Sequence, residues 1–403
     1  MFFYRLAMTY FIINLGFGIG GDTSGFRNYT GYFIGQAHEY EEEESIIHGE
    51  EFEDAYEEIY ESLGIKEIEK QLGSYGYTEH ISFSDILKSV FSGNGEAVAN
   101  NIIYSIKAVL VGDLVQNKNL MLQLIVLVLI GSIFVNISGS FGNSFVSENG
   151  FFVTYLIITS IMLASFSLSL ELVSNTIERV LNLIRILVPL YAVSMNFVGY
   201  SSTSSGMYQI ILVGVWLVQV VILKFIIPMI KFYVIVSLVN NLNKEDSFSK
   251  LCNLIKSLVS WMLKTIVVFV AGLNIIKSLI DPHIDALGRD TVNRVIASIP
   301  GGGIVSVLSG TFLGAGLVIK NSIGIGGIIL IIMVVLGPVL KTFLLMFAVR
   351  ITTVVIQPVG ERRYVDGIES LAQGMVLLLH TILSSVVLFV LTIAIMAYSS
   401  SGG

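Results

Sequence analysis

Two stretches near the C-terminus of this chain leave few choices for its fold. Ala372–Tyr398 contains no Asp, Glu, Lys or Arg, and Ile323–Val349 contains only Lys341. About 20 apolar residues are enough to cross the hydrocarbon core of a bilayer as a helix. A helix also satisfies its own backbone hydrogen bonds, which lipid cannot do. Leu120–Ile137, Phe151–Leu170 and Leu258–Ile280 repeat the pattern. Tyr208–Val239 carries Lys224, Pro228 and Lys231, and reads either as one long tilted helix with a proline kink or as two short helices. Ile186–Tyr200, with Pro189, is short enough for a half-span, and follows a polar connection holding Glu178, Arg179 and Arg185. Composition supports this reading. Charged residues make up 13% of the 403 residues and hydrophobic residues 54%, whereas soluble chains carry about 25% charge. The expected fold is all-α: a polytopic integral membrane protein with about six to eight transmembrane helices.

Charge divides the chain. Residues 38–70 hold 14 of its 30 acidic residues and 2 of its 23 basic ones, leaving 16 acidic against 21 basic residues elsewhere. Residues 1–21 place Arg5 before an apolar run, the pattern of a signal peptide or a signal anchor. Residues 22–118 then form an acidic, helical, extracytoplasmic region. Within it, Phe52, Ala55, Ile59 and Leu63 recur at helical spacing opposite the carboxylates, and Ile81–Gln116 continues with amphipathic character. Residues 119–403 are the polytopic membrane domain.

Orientation follows from the cytoplasmic bias of Lys and Arg. Lys244, Lys250 and Lys256 in the polar stretch Asn240–Lys256, and the pair Arg362–Arg363, mark cytoplasmic connections. Residues 22–118, the region 281–322 and the C-terminus then face outside.

The stretch 300–318 does not fit an ordinary span. Gly301, Gly302 and Gly303 follow Pro300, and Gly310 and Gly314 form a GxxxG pair, a spacing that allows close approach of membrane helices. Each glycine weakens an isolated helix by about 1 kcal/mol relative to alanine. The segment is nonetheless too apolar for a solvent loop. It is expected to be re-entrant from the outer face, packed among helices that shield its backbone.

Catalytic and cofactor signals are weak. No G-x-x-x-x-G-K-[ST] phosphate loop, H-E-x-x-H or G-x-S-x-G is present. Gly16-x-Gly18-x-x-Gly21 lies in an apolar leader, without the strand and helix that a dinucleotide site needs. His38, His48, His80, His283 and His380 show no metal-ligand spacing, and the acidic segment lacks a calcium-loop pattern. The single cysteine, Cys252, lies in a loop-like stretch and reads as a small buried or interfacial residue. We therefore expect no enzyme, no cofactor and no metal. Lys224, Lys231, Lys264 and Lys341 lie in apolar runs without an accompanying carboxylate. Lys224 and Lys231, seven apart and so on one helix face, either snorkel to the interfaces, or line a polar path or meet acidic groups on a partner.

IKNSIGIGGIILII, with Lys320, Asn321, Gly324 and Gly327, resembles the KN-x-(I/V)-G-x-x-G signature of the stage III sporulation protein AE family. Gln357, Pro358 and Gly360 resemble that family's Q-P-hydrophobic-G element, and the likeness runs from about Leu110 to the C-terminus. The resemblance implies a membrane component of a specialised secretion-like channel complex linking mother cell and forespore during endospore formation. It implies location in the mother-cell-derived membrane around the forespore. The implied partners are other stage III A sporulation proteins, including a separate ATPase subunit, and further copies of the chain; nucleic acid is not among them. A solute permease acting alone, or a structural scaffold for partner rings, are the competing classes. Pro300, Gly301, Gly302, Gly303, Gly310, Gly314, Lys320, Asn321, Gly324 and Gly327 are the candidate pore or packing residues, and Gln357, Pro358 and Gly360 are the family element.

Overall fold

A computed structural model describes residues 83–91, 95–140, 144–197, 213–242, 247–270 and 302–399, with isolated positions at 61, 63, 65, 69, 70, 73 and 272. The leader, nearly all of the acidic segment, the connection 281–298 and Pro300–Gly301 lie outside them. Among the described residues, seven helices carry the fold: α1 Phe83–Phe91, α2 Gly95–Ser140, α3 Ser144–Phe197, α4 Val213–Leu242, α5 Ser249–Val270, α6 Gly302–Ile356 and α7 Arg362–Ser399. Among the described residues there is no strand. The last six helices each contain a stretch long and apolar enough to cross a membrane, as the all-α polytopic reading requires.

The sequence sets these helices up for lipid. On α2, Leu122, Val126, Ile130, Ile133 and Ile137 point outward, while Leu124, Val128, Gly131 and Ser132 are buried. Apolar residues outside and small or hydroxyl residues inside is the arrangement of a membrane bundle. There, close packing and hydrogen bonds replace a hydrophobic drive between helices. Inward Ser and Thr hydroxyls bond carbonyls one turn back, as Thr352 does to Ala348 and Thr381 to Leu377.

α6 and α7 form the most extensive pairing, and α2, α3 and α4 pack around them. Glycines permit the closest approaches. A β-carbon at Gly131 of α2 would sit 2.7 Å from both Thr154 of α3 and the Tyr364 hydroxyl of α7. One at Gly374 of α7 would collide with Val234 of α4.

Several boundaries differ from the sequence reading. Residues 302–318 are not a re-entrant loop, because α6 is one 55-residue helix that runs through Gly302, Gly303, Gly310 and Gly314 into the following span. Helix propensity is a weak prior, and an unbroken helix keeps its own backbone hydrogen bonds in an apolar setting. The polar connection at Glu178–Arg185 and the half-span after it also merge, into the 54-residue α3. Glu171, Glu178, Arg179 and Arg185 lie exposed on it, while Val173, Ile177, Val180 and Ile184 are buried. At ~1.5 Å per residue, α3 is far longer than a ~30 Å hydrocarbon core is thick, so its charged turns can stand outside lipid.

Within Tyr208–Val239, the described residues, from Val213 on, form a single helix. Its proline is accommodated by a π-turn, Ile222–Ile226, in which the Ile227 N–H donates to the Ile222 carbonyl. Pro228 follows at once; it has no N–H, and its ring needs space beside the previous turn. The stretch 240–256 is not all loop, because α5 begins at Ser249 and takes in Cys252, which is buried. α7 begins at Arg362, ten residues before the apolar run it carries.

The expected boundary at residue 118 falls inside α2, although its apolar stretch does begin at Asn117. α1 belongs to the same core as the bundle, with Phe83, Ile86 and Leu87 buried against Gly326 of α6.

Candidate functional site

The sequence-derived candidates fall into three groups: two along the first half of α6 and one in the connector that follows it. Lys320, Gly324 and Gly327 recur at four and three residues and share one buried helix face, while Asn321 points outward. Lys320 is 0% exposed. A β-carbon at Gly327 would lie 3.2 Å from Leu187 of α3 and 3.7 Å from Ile393 of α7. The signature is therefore a packing face where three helices meet. Gly302, Gly303, Gly310 and Gly314 lie in the first turns of α6, but what their faces touch lies outside the described residues, as do Pro300 and Gly301.

Gln357, Pro358 and Gly360 form the connector from α6 to α7. Gln357 and Pro358 are exposed. The Gly360 N–H donates to the Ile356 carbonyl at 2.7 Å, and a β-carbon there would lie 2.9 Å from that oxygen and 3.1 Å from Val128. Only glycine lets the chain turn this tightly against α2. The Glu361 N–H then donates to Ser132 Oγ of α2 at 3.0 Å, which fixes the start of α7.

Beside this turn, Arg363 draws three helix ends together. Its guanidinium meets Glu148 of α3 at 2.7 and 3.4 Å and Glu361 at 2.6 Å, and lies 3.4 Å from the centroid of the Phe151 ring. Phe151 meets the Tyr155 and Tyr364 rings in tilted contacts at 5.4 and 4.8 Å between centroids, and Tyr155 Oη donates to the Leu238 carbonyl of α4. Two carboxylates and an aromatic face suit a planar guanidinium better than an ammonium. These contacts also put the α2–α3, α4–α5 and α6–α7 connections at one end of the bundle. That is the shared side which positive-inside reasoning assigned to the basic residues of 240–256 and 362–363.

From the same end, a polar seam descends between α4, α5 and α7. Ser370 Oγ receives hydrogen bonds from Ser237 Oγ and Asn241 Nδ2, each at 2.8 Å. Lys256 Nζ of α5 donates to Gln373 Oε1 at 2.8 Å, and Gln373 Nε2 donates to Glu369 Oε1 at 2.8 Å. One turn deeper on α5, Ser260 Oγ donates to the Lys256 carbonyl. Beyond it, Lys264 stands with Lys256 in electrostatic range of His380 on α7.

The sequence reading missed this seam. It found no carboxylate near the lysines, because it began the last span at Ala372 and so left Glu369 outside. The signal was nonetheless present. Glu369, Gln373 and His380 are four and seven residues apart, and Lys256, Ser260 and Lys264 are four apart, each set on one helix face. Lys224 and Lys231 lie exposed on α4, and Lys341 lies exposed on α6.

Fold and site together define an all-α, multi-pass membrane protein whose helices are joined by buried glycine crossings and polar contacts. The profile described as stage III sporulation protein AE matches residues 81–400, and the chain belongs to that family. The match begins at the start of α1, upstream of where the motifs alone placed it. The chain is 20% identical over 285 residues to stage III sporulation protein AE of Bacillus subtilis (strain 168), covering 70% of this chain and 71% of that protein. No solved structure matches.

Proposed function

We propose that this chain is the polytopic membrane component of a secretion-like channel complex joining mother cell and forespore. We place it in the mother-cell-derived membrane around the forespore. The observation that carries the reading is the family match over residues 81–400, which takes in all the described membrane helices. Membership makes it a sporulation protein of the membrane. The complex, its channel and its partners are our reading. In it, a separate ATPase subunit supplies energy, other stage III A proteins complete the assembly, and several copies of this chain take part.

The test is a tagged chain expressed during sporulation. We expect it to localise to the membrane around the forespore and to co-purify with the ATPase subunit, while the purified chain alone binds no ATP. Uniform membrane distribution without co-purification, or stoichiometric ATP binding by the pure chain, would overturn the assignment. The linked Glu369, Gln373 and Lys256 are the one feature that favours the permease reading, because solute carriers place ionisable groups within the membrane. Solute uptake by proteoliposomes holding this chain alone would establish that second reading.

A further inference from the structure

We propose that the seam between α5 and α7 is hydrated within the membrane and draws in small anions. The inference concerns the chain itself and holds whichever assembly it serves. Polar groups at membrane depth are tolerated where they pair or line a water-filled cavity. Here Lys256, Ser260 and Lys264 on α5 confront Glu369, Gln373 and His380 on α7.

The seam has a direction. Its mouth lies beside Asp366, Ser370 and Asn241 at the connector end. Lys264 stands ~22 Å along α5, and His380 stands ~27 Å along α7. α5 also presents apolar surface, with Leu254 and Trp261 each 63% exposed. Between the two helices the linked Lys256, Gln373 and Glu369 offer water a polar path.

The seam also has a sign. Two ammonium groups stand against one carboxylate, and Gln373 already donates to Glu369 Oε1. Asp366, at the mouth, lies 3.5 Å from Arg362. Among the described residues Lys264 meets no carboxylate. The inner part of the seam thus carries positive potential, which attracts anions.

Thiol labelling tests both properties. In a Cys252→Ser background, Ser260→Cys places a reporter between the two lysines with almost no change in volume. His380→Cys is a second reporter, on α7, in case the first variant does not fold. Leu254→Cys and Trp261→Cys report the apolar face. In native membranes, we expect an anionic sulfonate reagent to modify Ser260→Cys while both controls stay unmodified. After correction for intrinsic reactivity, that reagent should outpace a cationic trimethylammonium reagent roughly threefold to tenfold. Adding Lys264→Gln should remove most of that preference. Two results would refute the proposal: reporters as unreactive as the controls, or modification at equal rates by the two reagents.

Discussion

At the α6–α7 connector, Arg363 has a side chain only 15% exposed, held by Glu148, Glu361 and the Phe151 ring. In the seam between α5 and α7, Lys264 is exposed and meets no carboxylate among the described residues. Both are cations at helix pairs, Arg363 at the connector end and Lys264 ~22 Å further along α5, and their settings are opposite. The arginine has almost no freedom, because its fork is filled from two directions and its face is covered. The lysines of the seam are tethered by a single hydrogen bond to Gln373 or left facing open space. A fully partnered charge holds helices in register. A surplus of charge on exposed side chains contributes little to stability and is available to a ligand. In this molecule, the charges that maintain the fold can be told from those free to act by their partners, not by their depth.

The largest effect is expected where that distinction is attacked directly. Replacing Arg363 with Met leaves Glu361 half-buried beside Ser132 with no cation. It should cost roughly 3 kcal/mol, the low end for a broken buried pair, because the Glu148 side chain remains 45% exposed. Thermal unfolding in detergent measures this, and a loss under about 1 kcal/mol would erase the contrast between the two regions.

Next comes Gly360→Ala, expected to cost roughly 2 kcal/mol by forcing a β-carbon against the Ile356 carbonyl and Val128. Wild-type unfolding behaviour would show that the connector can shift without strain.

Lys256→Met sharpens the comparison from the other side. It should change stability by no more than about 1 kcal/mol, since it removes one hydrogen bond from a half-exposed side chain. Sporulation efficiency should nonetheless fall. A large loss of stability with normal sporulation would make the seam a second structural lock.

The smallest effect is expected at Gly326→Ala. There the clash is with the end of the Leu87 side chain at 3.0 Å, which can rotate away. Unfolding should barely change, and loosening should be confined to α1, read as faster proteolysis there.

Much of the fold was legible from the chain itself. Charge-free runs such as Ala372–Tyr398 dictate helices wherever the surroundings cannot hydrogen-bond the backbone, so class and approximate span count followed from composition and length. The motif at Lys320–Gly327 and the Gln357–Gly360 turn were also visible. Helix ends were not. Glu178 and Arg179 look like a break in one dimension, but both lie exposed on a continuous α3 whose opposite face is buried. The glycines of 302–314 looked too weak for a helix, yet α6 runs through them. Local composition cannot say whether a polar residue ends a helix or only decorates one face, since that depends on what the other face packs against.

Pairing lay wholly outside the sequence. Arg363 and Glu148 are separated by 215 positions, and no spacing rule joins them. Their meeting requires α2–α3 and α6–α7 to bring their connections to the same end. The seam likewise needed α5 set against α7. Lysines at helical spacing announce a face, and only tertiary packing turns that face toward Glu369 and His380. The sequence by itself determined that this chain forms apolar helices and belongs in a membrane, because that depends on the transfer of each segment from water. Which charges hold and which remain available was decided by the tertiary structure, because partners distant in sequence meet only once the helices have packed.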